Sequence, residues 1–254
     1  MVYALIVIYN KSIKESITYN CIKNFEKLNV IIFDNSERDY GNSSYAKENG
    51  IVYYTQNKNI GLSKAYNYVI NKLNLSDNDY IIILDDDSEI STEYYNEAIS
   101  VIKNNQYDII LPIVYSENQI ISPSNVQFGC RVKLVKKISK IEFSRITAIN
   151  SGMIVSARVY KNVRYDEELF LDYVDHTFMH EVRTKKYSIS IMESRINQNY
   201  SRNQKQSIDS VKHRYKIFKK DFFVYCRKCR KVIFYFLSIT KLQFKYLIKY
   251  KKII

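Results

Sequence analysis

The 254-residue chain has no tryptophan, two prolines, five glycines and four cysteines. Two prolines leave little room for a proline-rich linker. No Gly-x-Gly-x-x-Gly follows the first apolar run, which disfavours a Rossmann dinucleotide site. Four cysteines make no dense disulfide framework. Cys226-Arg-Lys-Cys229 has redox or metal spacing, but no second pair stands beside it to complete a zinc site. No apolar run reaches 18 residues, and the first one lacks a basic leader and stops at Tyr9-Asn10. The chain is therefore expected to stay in the cytoplasm without crossing a bilayer.

Tyrosine (24) and phenylalanine (12) are plentiful, and 46% of residues are apolar, an ordinary share for a globular protein. The formal charge of +13 is unevenly placed: residues 195–254 carry a net +15 and residues 1–194 a net −2. A near-neutral body of residues 1–205 with a basic appendage of residues 206–254 follows from this. Such an appendage suits an anionic partner, either nucleic acid or membrane.

Residues 80–89, Tyr-Ile-Ile-Ile-Leu-Asp-Asp-Asp-Ser-Glu, run a short β-branched apolar stretch into three consecutive carboxylates. The stretch has the length of a buried strand. Asp85, Asp86 and Asp87 repel one another at its end, a conflict that a divalent cation and phosphates resolve and that a solvated turn avoids.

Further strands are expected at 2–9, 30–33, 51–54 and 109–111, the last ended or edged by Pro112. Helices are expected at 13–27, 62–73 and 92–104, the third capped by Ser91 or Thr92. Alternating strands and helices predict an α/β fold with a mainly parallel sheet covered on both faces. In such sheets ligands sit beyond the carboxyl ends of the strands. Asn10, Asp34, Asn57–Gly61 and Asp85–Asp87 all fall at strand ends, so one edge gathers four polar clusters. Val126–Phe128 and Val132–Val135 suggest an antiparallel excursion, and Asn150-Ser151-Gly152 a glycine turn feeding another strand. A helix then opens near Phe170 and runs to about 186. Asp172 is a fair N-cap for it, with Asp175 completing the capping arrangement. His176 and His180, one turn apart, lack the glutamate of a His-Glu-x-x-His motif and read as ordinary histidines.

Six stretches carry a family likeness: Val7-Ile8-Tyr9-Asn10, Val30–Ser36, Asn57-x-Asn59-x-Gly61-x-x-x-Ala65-x-Asn67, Leu84-Asp85-Asp86-Asp87-Ser88, Asn150-Ser151-Gly152 and Phe170-Leu171-Asp172-Tyr173-Val174-Asp175. Across about residues 2–200 the chain resembles the inverting bacterial glycosyltransferases of family 2, rhamnosyltransferase-like branch, with the three-layer GT-A fold. The resemblance implies a nucleotide-sugar donor (a UDP-hexose or dTDP-rhamnose), Mn²⁺ or Mg²⁺, and a capsular, O-antigen or cell-wall glycan as acceptor, carried on a lipid. It assigns Tyr9 and Asp34 to the base and ribose, and Asn57, Asn59, Gly61 and Asn67 to a segment closing over the nucleotide. Asp85 would face the ribose or diphosphate, Asp86 holds a variable place, and Asp87 would bind the metal. Asp175 would be the general base, with Asp172 its substitute. The downstream histidine that completes the metal site in many relatives is missing from 196–200, where Asn199, or no protein ligand at all, would take its place.

From His213 onward, aromatics recur every three or four residues among lysines and arginines. A basic amphipathic helix on the inner face of an anionic membrane fits this pattern better than nucleic acid, for which no recognition module accompanies it. A packed helix pair with a homodimer contact is the alternative. Nucleotidyl transfer, and a non-catalytic scaffold on a degenerate transferase body, are the rival functions.

Overall fold

The computed structural model describes residues 1–104, 107–198 and 208–250. In chain order the elements are β1 (Val2–Ile8), α1 (Ile17–Ile22), β2 (Leu28–Asp34), α2 (Asn42–Glu48), β3 (Val52–Thr55), α3 (Leu62–Lys72), β4 (Tyr80–Leu84) and α4 (Thr92–Asn104). There follow β5 (Ile109–Ser116), β6 (Gln119–Ser122), β7 (Ser124–Gln127), β8 (Arg131–Lys133), β9 (Ile146–Thr147), β10 (Met153–Ser156), α5 (Val174–Thr184), β11 (Ile189–Asn197), α6 (Ile208–Lys228) and α7 (Val232–Tyr250).

Eight strands form the main sheet in the order β11-β5-β10-β4-β1-β2-β3, with β6 paired to β5. β1 is parallel to both β2 and β4, β3 to β2 and β11 to β5, while β10 runs antiparallel between β4 and β5. The reversed β10 matters for the site, because its first residues meet the carboxyl ends of its neighbours. Alternation along the strands sends Leu5, Ile31, Phe33, Ile81 and Ile83 to one face, against Tyr66 and Val69 of α3 and Phe178 and Val182 of α5. Ala4, Ile6, Ile8, Ile32 and Ile82 face the other way, against Ile22 of α1 and Tyr94 and Ala98 of α4. Burial on both sides is why these strands read as continuous apolar runs. A second sheet, β8-β7-β9, is the antiparallel excursion.

Three expectations are corrected. The helix expected over 13–27 is a 3-10 turn at Ile13–Glu15 followed by α1, because Ser12 and Ser16 each act as an N-cap and Ser16 is extended (φ −71°, ψ 116°). Pro112 neither ends nor edges β5; β11 loses register between Ile191 and Arg195, so the ladder skips the position with no N–H to give. The N-cap of α5 is Tyr173, left-handed at φ 59°, and Asp172 bonds elsewhere. Ser91 does cap α4, accepting from the Tyr94 N–H at 3.2 Å.

The boundary expected at 205/206 lies outside the described residues. Beyond it, α6 packs on the body: its Val224 joins the core under α3 and α5, and its Phe222, Tyr225 and Cys226 form a third apolar cluster with Cys130, Cys229 and Ile239 of α7. The Cys226-x-x-Cys229 pair is thus buried beside Cys130, and the hydrogen bond with Cys130, then burial, raise the Cys226 thiol. Among the described residues no helix is long and apolar enough to cross a membrane.

Candidate active site

The acidic loop is fixed from below by α1. The Ser16 hydroxyl donates to the Asp86 carbonyl (2.9 Å), the Thr18 hydroxyl donates to the Ser88 carbonyl (2.8 Å), and the Ser88 N–H donates back to Thr18 Oγ1 (2.9 Å). So held, the three carboxylates diverge. Asp86 turns to Lys11 Nζ at 2.6 Å. Asp85 points inward, where it accepts from the Ser151 hydroxyl, at the turn into β10, and from Gln198 Nε2 at 3.1 Å, just past β11. Burial pushes the Asp85 carboxyl up to about 6, the Ser151 bond opposes this, and the charges of Asp87, Asp175 and Asp86 add to it. Asp87 is raised as well, by burial and then by Asp86, against the pull of Lys11 and Gln198.

Asp175 stands in the first turn of α5, where the helix dipole favours a carboxylate. One of its oxygens accepts the His176 N–H at 2.6 Å, and its charge reaches Asp85 and the buried Tyr66 hydroxyl. Asp172 does not share this position, since the Arg214 guanidinium of α6 forks onto both its oxygens, at 2.6 Å for one of them. Asp221 of α6, fully buried, accepts from the backbone N–H groups of Phe170 (3.0 Å), Leu171 (2.8 Å) and Asp172 (2.8 Å). Tyr173 stacks on Tyr225 with ring centres 4.7 Å apart. The histidines separate: His176 Nδ1 meets the Thr147 hydroxyl at 2.8 Å, and His180 meets Cys229 Sγ at 3.8 Å.

The residues assigned to the nucleotide divide into two groups. Tyr9 (48% exposed), Asn59 and Gly61 line a cleft of about 1050 Å³ over the ends of β1 and β2, with Asn35 and Glu37. The Asn35 amide donates to Asn59 Oδ1 (2.9 Å) and accepts from the Ile60 N–H (2.8 Å), which ties the two loops together. Gly61, at φ +82°, brings the chain so close to Phe170 that a Cβ would lie 2.7 Å from its ring and 2.8 Å from its carbonyl oxygen. The second group is engaged with protein. Asp34 is buried and accepts from the Ser36 N–H (3.0 Å), Asn42 Nδ2 (2.7 Å) and the Tyr53 hydroxyl (2.9 Å). Asn67 clasps Tyr165 in both directions (2.8 and 3.1 Å) and Glu167 (3.0 Å). Asn57, left-handed at φ 52°, shapes an exposed turn. These three hold the frame around the cleft rather than lining it.

Sequence reasoning passed over Gln198, Arg214 and Asp221, and singled out Asn150-Ser151-Gly152 without giving Ser151 a partner. Gln198 sits inside the stretch scanned for a histidine, and only strand register shows that it reaches Asp85; Asn199 lies outside the described residues. Among the described residues no three His, Cys, Asp or Glu side chains converge as a metal cage. The acidic loop still fits Mg²⁺ or Mn²⁺. Its donors are hard oxygens, its carboxyls are raised by burial first and by their neighbours' charge second, both of which a divalent charge would offset, and such ions commonly take one or two carboxylates, with phosphates and water filling the rest. The Gln198 amide bonds to Asp85 and also acts on Asp87, so the carboxylates of this loop are the groups that would hold such an ion.

A doubly covered sheet whose carboxyl edge bears an amide-lined cleft, an aspartate triple and a facing aspartate defines a GT-A glycosyltransferase domain. The model of glycosyl transferase family 2 matches residues 3–162, and the chain belongs to that family. It is 28% identical over 182 residues to the dTDP-rhamnosyl transferase RfbF of Shigella flexneri; the match takes in 68% of this chain and 60% of that protein's length. Among solved structures, residues 1–349 of TarS from S. aureus superpose with a TM-score of 0.57 at 16% identity, over 78% of this chain and 60% of that one. GalNAc-T7 with UDP, GalNAc and Mn²⁺ superposes with a TM-score of 0.64 at 14% identity, over 91% of this chain and 48% of that one.

Proposed function

We propose that the protein transfers a hexose or deoxyhexose, with inversion, from a nucleotide-diphosphate sugar to a hydroxyl of a lipid-linked bacterial surface glycan. What carries this reading is the Asp85–Asp87 triple set against Asp175, close enough for one carboxylate to raise the other. Asp85 and Asp87 face the ribose and diphosphate. The Asp175 oxygen not bonded to its own helix takes the proton from the acceptor hydroxyl as that oxygen attacks the anomeric carbon and the nucleoside diphosphate departs. A divalent ion held by Asp87 would neutralise charge growing on the leaving diphosphate. With no protein nucleophile in the scheme, a single displacement inverts the configuration. A hollow of about 340 Å³ beside His176, walled by Gln119, Val132 and Ile149, suits the acceptor sugar. The RfbF likeness favours a dTDP-deoxyhexose donor.

The same reading sets the protein on the inner face of an anionic membrane. In its support, α7 exposes Phe236 (60%), Leu237 (68%), Phe244 and Ile248 (80%) among Lys241 and Lys245.

Purified protein given a panel of UDP- and dTDP-sugars with Mn²⁺ and a lipid-linked acceptor should release nucleoside diphosphate. Asp175→Asn should keep donor affinity and lose transfer about a hundredfold or more, in line with the usual worth of a general base. Full turnover by that variant removes Asp175 from the mechanism.

A further inference from the structure

The cleft over β1 and β2 is closed on its outer side by α6, an element that the charge distribution alone marks as an appendage. His213, Lys216, Ile217, Lys220 and Phe223 recur at helical spacing and line it, opposite Tyr9, Asn35, Asn59 and Gly61. The other side of the helix, Phe218, Phe222 and Tyr225, is occupied by Tyr173 and α7. α6 has one position here: Asp221 takes three successive N–H groups of the 170–172 loop, Arg214 forks onto Asp172, and Tyr173 stacks against Tyr225.

The chemistry of the lining narrows what fits. Farther along α6, Arg227 and Lys228 pair with Glu168, Asp166 and Glu181. Among the described residues Lys216 and Lys220 have no carboxylate within ion-pair distance, although both line the cleft. With Lys219, three lysines line the cleft against one carboxylate unpaired among the described residues, that of Glu37, an excess of positive charge that suits an anion. The aromatic rings of Tyr9, Phe223 and Tyr235 offer stacking surfaces, and the amides of Asn35 and Asn59 offer edges for hydrogen bonding. Rings, amides and cations together suit a nucleoside diphosphate, and the cleft lies over the ends of β1 and β2.

We infer that α6 is the outer wall of the donor site, with Lys216 and Lys220 meeting the negative charge of the bound nucleoside diphosphate. This rests on the donor reading above and adds to it a part for the basic segment besides membrane contact.

The test compares three proteins by titration calorimetry with uridine and thymidine diphosphates and with the free nucleosides, in Mn²⁺ and in EDTA. They are the wild type, Lys216→Ala/Lys220→Ala, and Lys241→Ala/Lys245→Ala. The last removes the same charge from α7, outside this cleft. The α6 pair should lose about tenfold in diphosphate affinity, the size of a charge-assisted contact, with nucleoside affinity unchanged. The α7 pair should bind as the wild type does. An α6 variant that matches the α7 variant overturns the inference while wild-type binding keeps the donor reading. A folded wild type that binds neither diphosphate brings down the donor reading, and this inference with it.

Discussion

Asp85 shows how a functional carboxylate sets stability against use. Its folded-state value of about 6 stands above the ordinary 3.8, so the folded protein holds this proton more tightly than the unfolded chain does. In metal-free protein the resulting penalty is absent below about pH 4, grows as pH rises through the window from 4 to 6, and is constant above it, at about 3 kcal/mol. Asp85→Asn keeps the shape and removes the charge. It should therefore unfold in more urea than the wild type at pH 7.5, by an amount that vanishes at pH 4, while transfer is lost. Mn²⁺ should stabilise the wild type and leave Asp87→Ala unmoved in the same melts. The acidic triple was legible in the sequence because three carboxylates after an apolar run have few explanations. Gln198 and Lys11 were not, nor was the partner of Ser151, since each becomes a neighbour of that loop only through pairing that residue types do not encode.

At the scale of elements, the loop from Phe170 to Tyr173 is gripped between the start of α3 and the middle of α6. Gly61→Ala would force a side chain into a positive φ and against Phe170 backbone, where neither can give; a loss of about 2–4 kcal/mol is expected, together with weaker transfer. Asp221→Ala leaves three N–H groups without their acceptor. Denaturant unfolding should fall by about 3–5 kcal/mol, and hydrogen exchange at 170–172 should quicken more than in α4. The buried strands could be read directly, because sheet burial on both faces writes itself as apolar runs. Helix boundaries were less readable where a polar side chain had two possible partners. Ser16 caps a new helix instead of continuing the old one, and Asp172 answers Arg214 across the fold instead of capping α5. A bulge in β11 let β5 continue through Pro112, and a partner strand's bulge leaves no mark on the proline's own neighbourhood.

For the whole molecule, charge asymmetry sets the C-terminal residues apart as basic, but composition could not say which of their faces meets the body. That depends on Asp221 and Tyr225, ordinary residues until α6 docks. On the proposed membrane reading, the outward face of α7 is the contact surface. The protein should co-sediment with vesicles containing anionic phosphatidylglycerol and be released by salt, each basic side chain near the surface contributing about 1 kcal/mol. Phe236→Asp/Phe244→Asp should abolish this without lowering nucleotide affinity, and unchanged sedimentation would remove α7 from the interface. The clasp of Asp221 on the 170–172 loop also dates the enzyme's own making. A ribosome delivers the acidic loop first, then the loop bearing Asp175, and only later the carboxylate that fixes that loop. A chain still short of residue 221 has its strands and aspartates but lacks the carboxylate that fixes the 170–172 loop. On the proposed mechanism, activity then arrives with the docking of α6 and does not grow with chain length.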